Sequence, residues 1–272
     1  MEAAVERVFS VLNREVELDA LDSLVFSLPP SYPQVPLDKT AIAIDANVLL
    51  RLNVSARGAD VVDFLSTTHK GPLVLPGQVI QEFWNNQFLA VDSLSAGMRK
   101  KFDGLKSDVQ KVDASFGGYG ARFDQLLDEF GGEFGYLYDE GTTRRVIALF
   151  SALKQKAIVP YAPRSYFSEM AASRKRTKTP PGFKDDGDGD FFVWVDLLLG
   201  LQRLRENGSS FERVILVSND RKLDWSREGT PHPILLAEMK VLTGASLEMF
   251  TGDELAKELL DSPAVLESAA AT

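Results

Sequence analysis

The sequence predicts an α/β fold, a three-layer α/β/α sandwich with a mostly parallel central sheet and a helical insertion. Two observations support this prediction. Short apolar runs of strand length recur along the chain, and stretches with helical spacing separate them. Such alternation is typical of parallel strands that are connected by helices on both faces of a sheet. With 272 residues, 44% of them hydrophobic, the chain can bury a substantial core.

Five apolar runs are the candidate strands, and each is bounded by a turn or a helical stretch. These runs are residues 41–44, 72–76, 157–160, 213–218 and 245–250. They are nearly continuous in their apolar character, which is typical of parallel strands buried on both faces. Helical stretches follow at 59–66, at 78–89 and from about Asp190 onward.

The chain divides into a main domain and two terminal segments. Residues 1–38 predict an N-terminal helical extension and linker, because helical spacing there runs into a proline cluster at 29–33. Residues 39–260 predict the main domain, with a charged, glycine-broken helical insertion at about 93–155. Residues 261–272 predict a C-terminal tail.

Composition limits the kinds of site that the chain can form. It has no cysteine and only two histidines, His69 and His232, which excludes thiolate zinc sites, iron–sulfur clusters and multi-histidine sites. A catalytic metal would therefore have oxygen ligands, which favours Mg²⁺ or Mn²⁺. The net charge of −9 argues against a basic coat for nucleic acid, so any such contact must be local. The absence of signal-peptide features and of long apolar stretches predicts a soluble, cytoplasmic protein without a membrane partner.

Four acidic residues are the candidate active site. Asp45 and Asp220 follow predicted strands, Glu82 lies early in a helix after a strand, and Asp190 begins a helix. Functional groups of parallel sheets collect at the carboxyl ends of the strands, so we expect the four to share a cleft. Four neighbouring carboxylates repel one another unless cations neutralise them. The pattern therefore indicates divalent metal, and two such ions can support phosphodiester hydrolysis.

Each acid also has a purely structural interpretation. Asp45 could form a turn or cap a helix, Asp190 could interact with a helix dipole, and Glu82 could be a solvated helix residue. The cluster is favoured because residues 191–204 are apolar on nearly every face of their helix. Such a helix must be buried, which carries Asp190 toward the sheet.

Four segments, in order, resemble the motifs of the PIN domain nucleases, and within them the PIN-like (PIN-8) branch. The segments are Asp45–Leu50, Pro76–Phe83, Pro180–Asp190 and Ser218–Trp225. The resemblance covers roughly residues 41–250 with a long unmatched stretch between about 95 and 155. It implies an α/β/α fold, Mg²⁺ or Mn²⁺ as the cofactor, and hydrolysis of RNA or single-stranded nucleic acid. RNA is favoured over DNA as the substrate.

The resemblance also implies roles for individual residues. The catalytic, metal-binding carboxylates would be Asp45, Glu82, Asp190 and Asp220, with Asp224 as a further metal ligand. Asn47 and Ser218 would not bind the metal themselves but would orient its ligands or a water molecule through hydrogen bonds. In the closing motif, Asn219 stands where a second acid is frequent, which affects only an auxiliary ligand.

Basic residues beside the acids are candidates for contact with the substrate. The first group would lie near the scissile phosphate and consists of Lys184, Arg221 and Lys222. The second group would contact the nucleic-acid backbone farther along and consists of Arg174, Lys175 and Arg176. The second group has the alternative of a solvated loop. The neighbouring acids Asp185, Asp186 and Asp188 form an acidic turn that could add one ligand. Among the tryptophans, Trp194 is predicted in the core and Trp225 is the candidate for substrate contact.

Other families fit less well. A haloacid-dehalogenase phosphatase needs an aspartate where this chain has Asn47, and a Rossmann binder needs a glycine-rich turn after its first strand. An EF-hand loop at 186–197 fails because Phe191 and Leu197 stand where glycine and glutamate are required. A catalytically inactive PIN scaffold that binds RNA or a protein partner stays open, as do a homo-oligomer and a role as a toxin or phage-defence effector.

Overall fold

A parallel sheet lies at the centre of the computed structural model, which describes residues 2–26, 35–52, 55–85, 100–101, 103–109, 111, 118–134, 141–220 and 222–261. The strands are β1 (Thr40–Ile44), β2 (Leu73–Val74), β3 (Ala157–Ile158), β4 (Arg213–Val217), β5 (Ser226–Arg227), β6 (Thr230–Pro231) and β7 (Ser246–Phe250). Five of them form one sheet in the order β3-β2-β1-β4-β7, and every neighbouring pair is parallel.

Helices connect these strands. They are α1 (Ala3–Leu12), α2 (Ala20–Phe26), α3 (Ala46–Leu52), α4 (Gly58–Asp63), α5 (77–85), α6 (Tyr119–Phe134), α7 (Gly141–Leu153), α8 (Arg164–Arg176), α9 (Gly189–Glu206), α10 (Pro233–Thr243) and α11 (Gly252–Leu260). A 3₁₀ turn at Leu37–Lys39 precedes β1, and a π-helical turn at Phe64–Thr68 continues α4.

The described residues fall into two compact units. One contains the residues up to Phe83 and those from Ala152 onward, and the other contains those between Trp84 and Ser151. In its described part the second unit is helical, over 103–109, α6 and most of α7. The insertion boundaries of about 93 and 155 stay a prediction.

Helices cover both faces of the sheet. Every position of β1 and β4 is buried, which requires protein on each side of these strands. The first group of helices, α1, α9 and α10, pack against one another, and the second group, α3, α4 and α11, do the same. The predicted α/β fold with a mostly parallel sheet is therefore confirmed.

The strand order places a topological switch point between β1 and β4. From β1 the chain proceeds to β2 and β3 on one side of the sheet, and then to β4 and β7 on the other. The backbone ladder continues past the strand ends, because the Asp45 amide donates to the Val217 carbonyl at 2.9 Å and the Ser218 amide to the Phe250 carbonyl at 2.8 Å. Residues that follow β1 and β4 are thus held side by side.

The apolar helix α9 is buried, as its sequence predicted. Trp194 is fully buried, and Asp196 is a fully buried carboxylate within the same helix. In the described part of the chain, no helix is long and apolar enough to cross a membrane.

The segment predicted as an N-terminal extension is helical over α1 and α2. One face of α1 is buried through its regularly spaced apolar residues, Ala4, Val5, Val8, Val11 and Leu12. This face packs against α9 and α10, so α1 contributes to the unit that contains the sheet.

A small antiparallel hairpin, β5–β6, was not expected from the sequence. Its turn residues Glu228 and Gly229 both have positive φ angles, 52° and 83°. Two successive positive φ angles are typical of the tight turn that matches strand twist, and glycine adopts one of them without strain. Glutamate at the other turn position is unusual, so the sequence carries no common signal for this turn.

A buried histidine next to β2 makes the stability of the fold depend on pH. His69 has 1% of its surface exposed, and burial together with the charge of Lys156 lowers its pKa to about 4. In the unfolded chain histidine titrates near 6.5. Between pH 6.5 and 4 the unfolded state therefore binds a proton that the folded state excludes, and stability is lost as the pH falls.

We expect the free energy of unfolding of the wild type to drop by about 2 kcal/mol more than that of His69→Leu between pH 7.5 and 5.0. Urea denaturation at the two pH values measures this difference. An equal drop in both proteins would show that His69 is not the group responsible.

Candidate active site

Asp45 is held at the carboxyl end of β1 by three hydrogen-bond donors. Its Oδ2 accepts from Asn47 Nδ2 at 2.6 Å and from Ser218 Oγ at 2.7 Å, and its Oδ1 accepts from the Ala46 amide at 2.6 Å. The predicted orienting residues Asn47 and Ser218 thus lie directly against it. Burial, and secondarily the charge of Asp220, raise the pKa of Asp45.

A polar network joins Asp45 to the loop after β4. Ser218 Oγ donates to Asp45 and accepts from the Asp220 amide at 3.1 Å. Asn47 Oδ1 accepts from the Asn219 amide at 2.9 Å, and Asn219 Oδ1 accepts from the Gly252 amide at 3.1 Å. Asn219 therefore connects this loop to the first residue of α11, a role that an amide oxygen fulfils.

Lys222 lies among three carboxylates. Its Nζ is 2.5 Å from Asp185 Oδ2, 2.9 Å from Asp220 Oδ2 and 3.2 Å from Asp190 Oδ2. Partial burial disfavours the ammonium, but the hydrogen bonds to Asp185 and Asp220 outweigh burial and raise the pKa of Lys222 above its ordinary value. A charged lysine thus bridges Asp220, which follows β4, to Asp185 and Asp190 at the start of α9.

Asp185 and Asp190 are joined by a hydrogen bond between their carboxyl groups. Burial, and then the hydrogen bond with Asp185, raise the pKa of Asp190 to about 7, although Trp225 Nε1 donates to its Oδ2 at 3.0 Å. Burial opposes ionisation of Asp185 as well, yet its hydrogen bonds with Asp190 and Lys222 lower its pKa. Asp185 is thus the member of the acidic turn that faces the cluster. Asp188 instead pairs with Lys175 at 3.1 Å.

Glu82 approaches the cluster from α5. Its Oε1 accepts from Gln78 Nε2 at 3.0 Å. A Cβ atom on Gly189 would lie 2.5 Å from the same Oε1, so the first residue of α9 leaves room for Glu82 because it is glycine. Burial, and then the nearby charges of Asp45 and Asp185, raise the pKa of Glu82. All four predicted acids therefore share one electrostatic environment.

The donor set fits a hard divalent cation. Three of the four predicted acids have raised pKa values, partly because like charges are close, and added positive charge would relieve that repulsion. Carboxylate oxygens are the ligands that Mg²⁺ and Mn²⁺ prefer. Within the described ranges, however, no three acidic or histidine side chains are arranged as a ready-made ligand set. Side-chain rotation around Lys222 would be needed to form one.

The prediction that Arg174 binds substrate is wrong. Its side chain is 5% exposed, its Nη1 donates to Glu238 Oε1 at 2.7 Å, and its Nη2 donates to Glu238 Oε2 and to the Pro180 carbonyl. A buried guanidinium whose Nη1 and Nη2 are both engaged in this way cannot reach a phosphate. Lys175 pairs with Asp188, whereas Arg176 and Lys184 are exposed.

The structure bears on two further predictions. Asp224 is fully buried, and its Oδ2 accepts from the Gly182 amide at 3.0 Å, so this oxygen supports a backbone loop. Its Oδ1 has no hydrogen-bond partner among the described residues, and a role for Asp224 as a metal ligand stays a prediction. Trp225 is 5% exposed, donates to Asp190 and packs edge-on against Trp194, so it is not a surface for substrate stacking. Arg221 lies outside the described residues.

Sequence reasoning missed the residues that surround Glu82. Gln78, Arg164 and Asp196 form a hydrogen-bonded group behind it. One signal was present, because an aspartate within an otherwise apolar helix must find partners when the helix is buried.

Comparison with known proteins gives one family match. The protein-family model described as "PIN like domain" matches residues 162–235 of this chain. No curated protein and no solved structure matches the chain. The matched segment contains Asp190, Asp220 and Lys222, while Asp45 and Glu82 precede it. The resemblance of this chain to the PIN-like branch of the PIN domain nucleases is thereby confirmed over residues 162–235.

Proposed function

We propose that this protein is a divalent-metal-dependent nuclease that hydrolyses phosphodiester bonds of single-stranded RNA. The observation that supports the proposal best is the convergence of Asp45, Glu82, Asp190 and Asp220 at the carboxyl edge of the sheet. PIN domains are generally nucleases, and the matched segment supplies two of these acids.

In the proposed mechanism, the residues of the site have three different roles. The four carboxylates would hold Mg²⁺ or Mn²⁺, and the bound ion supplies a Lewis acid that activates water and stabilises the leaving oxygen. Asn47 and Ser218 keep the Asp45 carboxylate in a fixed orientation through bonds of 2.6 and 2.7 Å. Lys222 keeps a positive charge beside the acids, where a scissile phosphate would enter.

Substrate contact outside the cluster would be local. With a net charge of −9, the protein as a whole repels a polyanion. The exposed Arg176 and Lys184 lie at either end of the loop that leads to the acidic turn, and they are suited to hold flanking phosphates. A toxin or phage-defence effector would use such an RNA-cleaving activity.

One observation favours a second function. The Lys222 ammonium already bridges three carboxylates, as a counter-ion would in a protein without metal. A catalytically inactive PIN scaffold that binds RNA or a protein partner would need nothing more.

A cleavage assay distinguishes the two functions. In this assay the wild-type protein is incubated with end-labelled single-stranded RNA and DNA. We expect Mg²⁺ or Mn²⁺ to support cleavage of RNA, chelator to abolish it, and Mn²⁺ at a hundred times its Kd to stabilise the fold by about 2.7 kcal/mol. Asp220→Asn, purified in parallel, controls for contaminating nucleases. Intact substrates together with an unchanged melting temperature in metal would support the scaffold.

A further inference from the structure

We propose that Gln78 is a positioning residue that orients the Glu82 carboxylate for the cation, and that Arg164 and the buried Asp196 hold Gln78 in place. The inference rests on the proposed function and adds a part of the site that the motifs do not contain. It follows from a continuous set of hydrogen bonds that leads from the interior of α9 to Glu82.

Asp196 is the fixed end of this set. It is fully buried in α9, and its two oxygens accept four hydrogen bonds. The donors are the Ala162 amide at 2.8 Å, the Gln78 amide at 2.8 Å, and Arg164 Nη1 and Nη2 at 2.7 and 2.9 Å. A buried carboxylate with this many partners has one orientation. Asp196 therefore fastens the first turn of α5 to α9.

Arg164 determines which way the Gln78 amide faces. Its Nη2 donates to Gln78 Oε1 at 3.3 Å, and its guanidinium lies over the Phe192 ring with the central carbon 4.4 Å from the ring centroid. A guanidinium has donors and no acceptor, so the oxygen of the Gln78 amide must face it. The amide nitrogen is consequently directed away from Arg164, and it donates to Glu82 Oε1 at 3.0 Å.

Glu82 is thereby restrained on two sides. Gln78 engages its Oε1, and the backbone of Gly189 closes the space on the α9 side, where a Cβ atom would come within 2.5 Å. With Oε1 engaged by a neutral donor, we assign cation binding to Oε2. Outer partners of this kind typically change metal affinity or activity by roughly 10 to 100-fold.

The chain contains a matched pair for comparison. Gln202 Nε2 donates to Glu206 Oε1 at 3.0 Å, with the same spacing of four residues along a helix, in an exposed part of α9. Such pairs stabilise a helix by roughly 0.2–0.5 kcal/mol wherever they occur. If the Gln78–Glu82 bond were only a helix pair, both glutamines would respond alike to substitution.

The experiment compares Gln78→Leu with Gln202→Leu in the full chain, with Mn²⁺ binding measured by titration calorimetry. We expect Gln78→Leu to weaken Mn²⁺ binding by roughly 10 to 100-fold and Gln202→Leu to leave it unchanged. Melting temperatures of both variants without metal should agree with the wild type within a few degrees, which separates loss of orientation from loss of folding.

A double variant tests whether Gln78 acts through Glu82. In a Glu82→Gln background, the additional Gln78→Leu substitution should have no further effect on the Mn²⁺ dissociation constant. A further loss of the full size would overturn the inference, and so would unchanged Mn²⁺ binding in Gln78→Leu when the wild type binds the ion. Absence of Mn²⁺ binding by the wild type would instead remove the proposed function, and the inference with it.

Discussion

Asp45→Asn is expected to reduce metal-dependent RNA cleavage by about a thousandfold or more while the protein stays folded. Asparagine has the shape of aspartate but lacks its charge, and its NH₂ group cannot bind a cation. Burial and the neighbouring Asp220 raise the pKa of Asp45, so asparagine relieves the cost of a buried charge. This relief offsets part of the loss where the NH₂ group faces a donor that the carboxylate accepted from. Cleavage rates and thermal melting without metal measure the two effects separately.

The matched control for this variant is Asp253→Asn. Asp253 is exposed in the first turn of α11, and the same chemical change there should leave the cleavage rate within about a factor of two. Undiminished cleavage by Asp45→Asn would remove Asp45 from the mechanism, whatever metal the protein binds.

Glu238→Ala is expected to lower the free energy of unfolding by roughly 3–5 kcal/mol. The carboxylate is fully buried on α10, where it accepts from Arg174 and, at 2.8 Å, from Trp194 Nε1. Its removal leaves a buried guanidinium without a counter-charge and a buried indole N–H without an acceptor. Arg174 also donates to the Pro180 carbonyl, so the loop before the acidic turn loses part of its support.

Urea denaturation of three proteins measures this effect. Glu212→Ala removes an ion pair with Lys39 in which both side chains are about half exposed, and its effect should be far smaller than that of Glu238→Ala. The double variant Arg174→Met/Glu238→Leu should recover much of the loss, because replacing both charges leaves none unpaired. A loss from Glu238→Ala no larger than that from Glu212→Ala would contradict the buried pair.

The strands that carry the site were predictable because their signals are local. β1 and β4 are unbroken apolar runs, and Asp45 and Asp220 follow them where a parallel sheet collects its functional groups. Helix α9 was equally clear, since an apolar helix has no alternative to burial. For these elements, the apolar pattern of the sequence requires burial, and burial determines their position in the fold.

The burial of Arg174 and its ion pair with Glu238 were not predictable from the basic run that contains Arg174. Charge alone suggested contact with phosphate, but α8 continues to Arg176 and places Arg174 on the face that Phe167, Met170 and Ala171 bury. That helical spacing was visible in the sequence. Its partner Glu238, 64 residues away in the chain, was not, because periodicity identifies a buried face without naming what lies opposite.

The surroundings of Glu82 illustrate the same limit. The spacing of Gln78 and Glu82 by four residues predicts that they are neighbours on a helix. Nothing local predicts that Arg164 and Asp196 fix the direction of the Gln78 amide, because those contacts join residues 32 to 118 positions apart.

The ladder that continues beyond β1 and β4 divides the site into a rigid half and an adjustable half. Asp45 and Ser218 have backbone amides that belong to the sheet, through bonds of 2.9 and 2.8 Å. Their exchange with solvent requires the most stable part of the fold to open. Glu82 is held by Gln78, whereas Asp185 and Asp190 lie around Lys222 at the start of α9. The carboxyl groups of Asp185 and Asp190 would therefore be the ones to rotate if a cation entered. Reorganisation on binding would then be confined to one wall of the cleft, which keeps its entropic cost small.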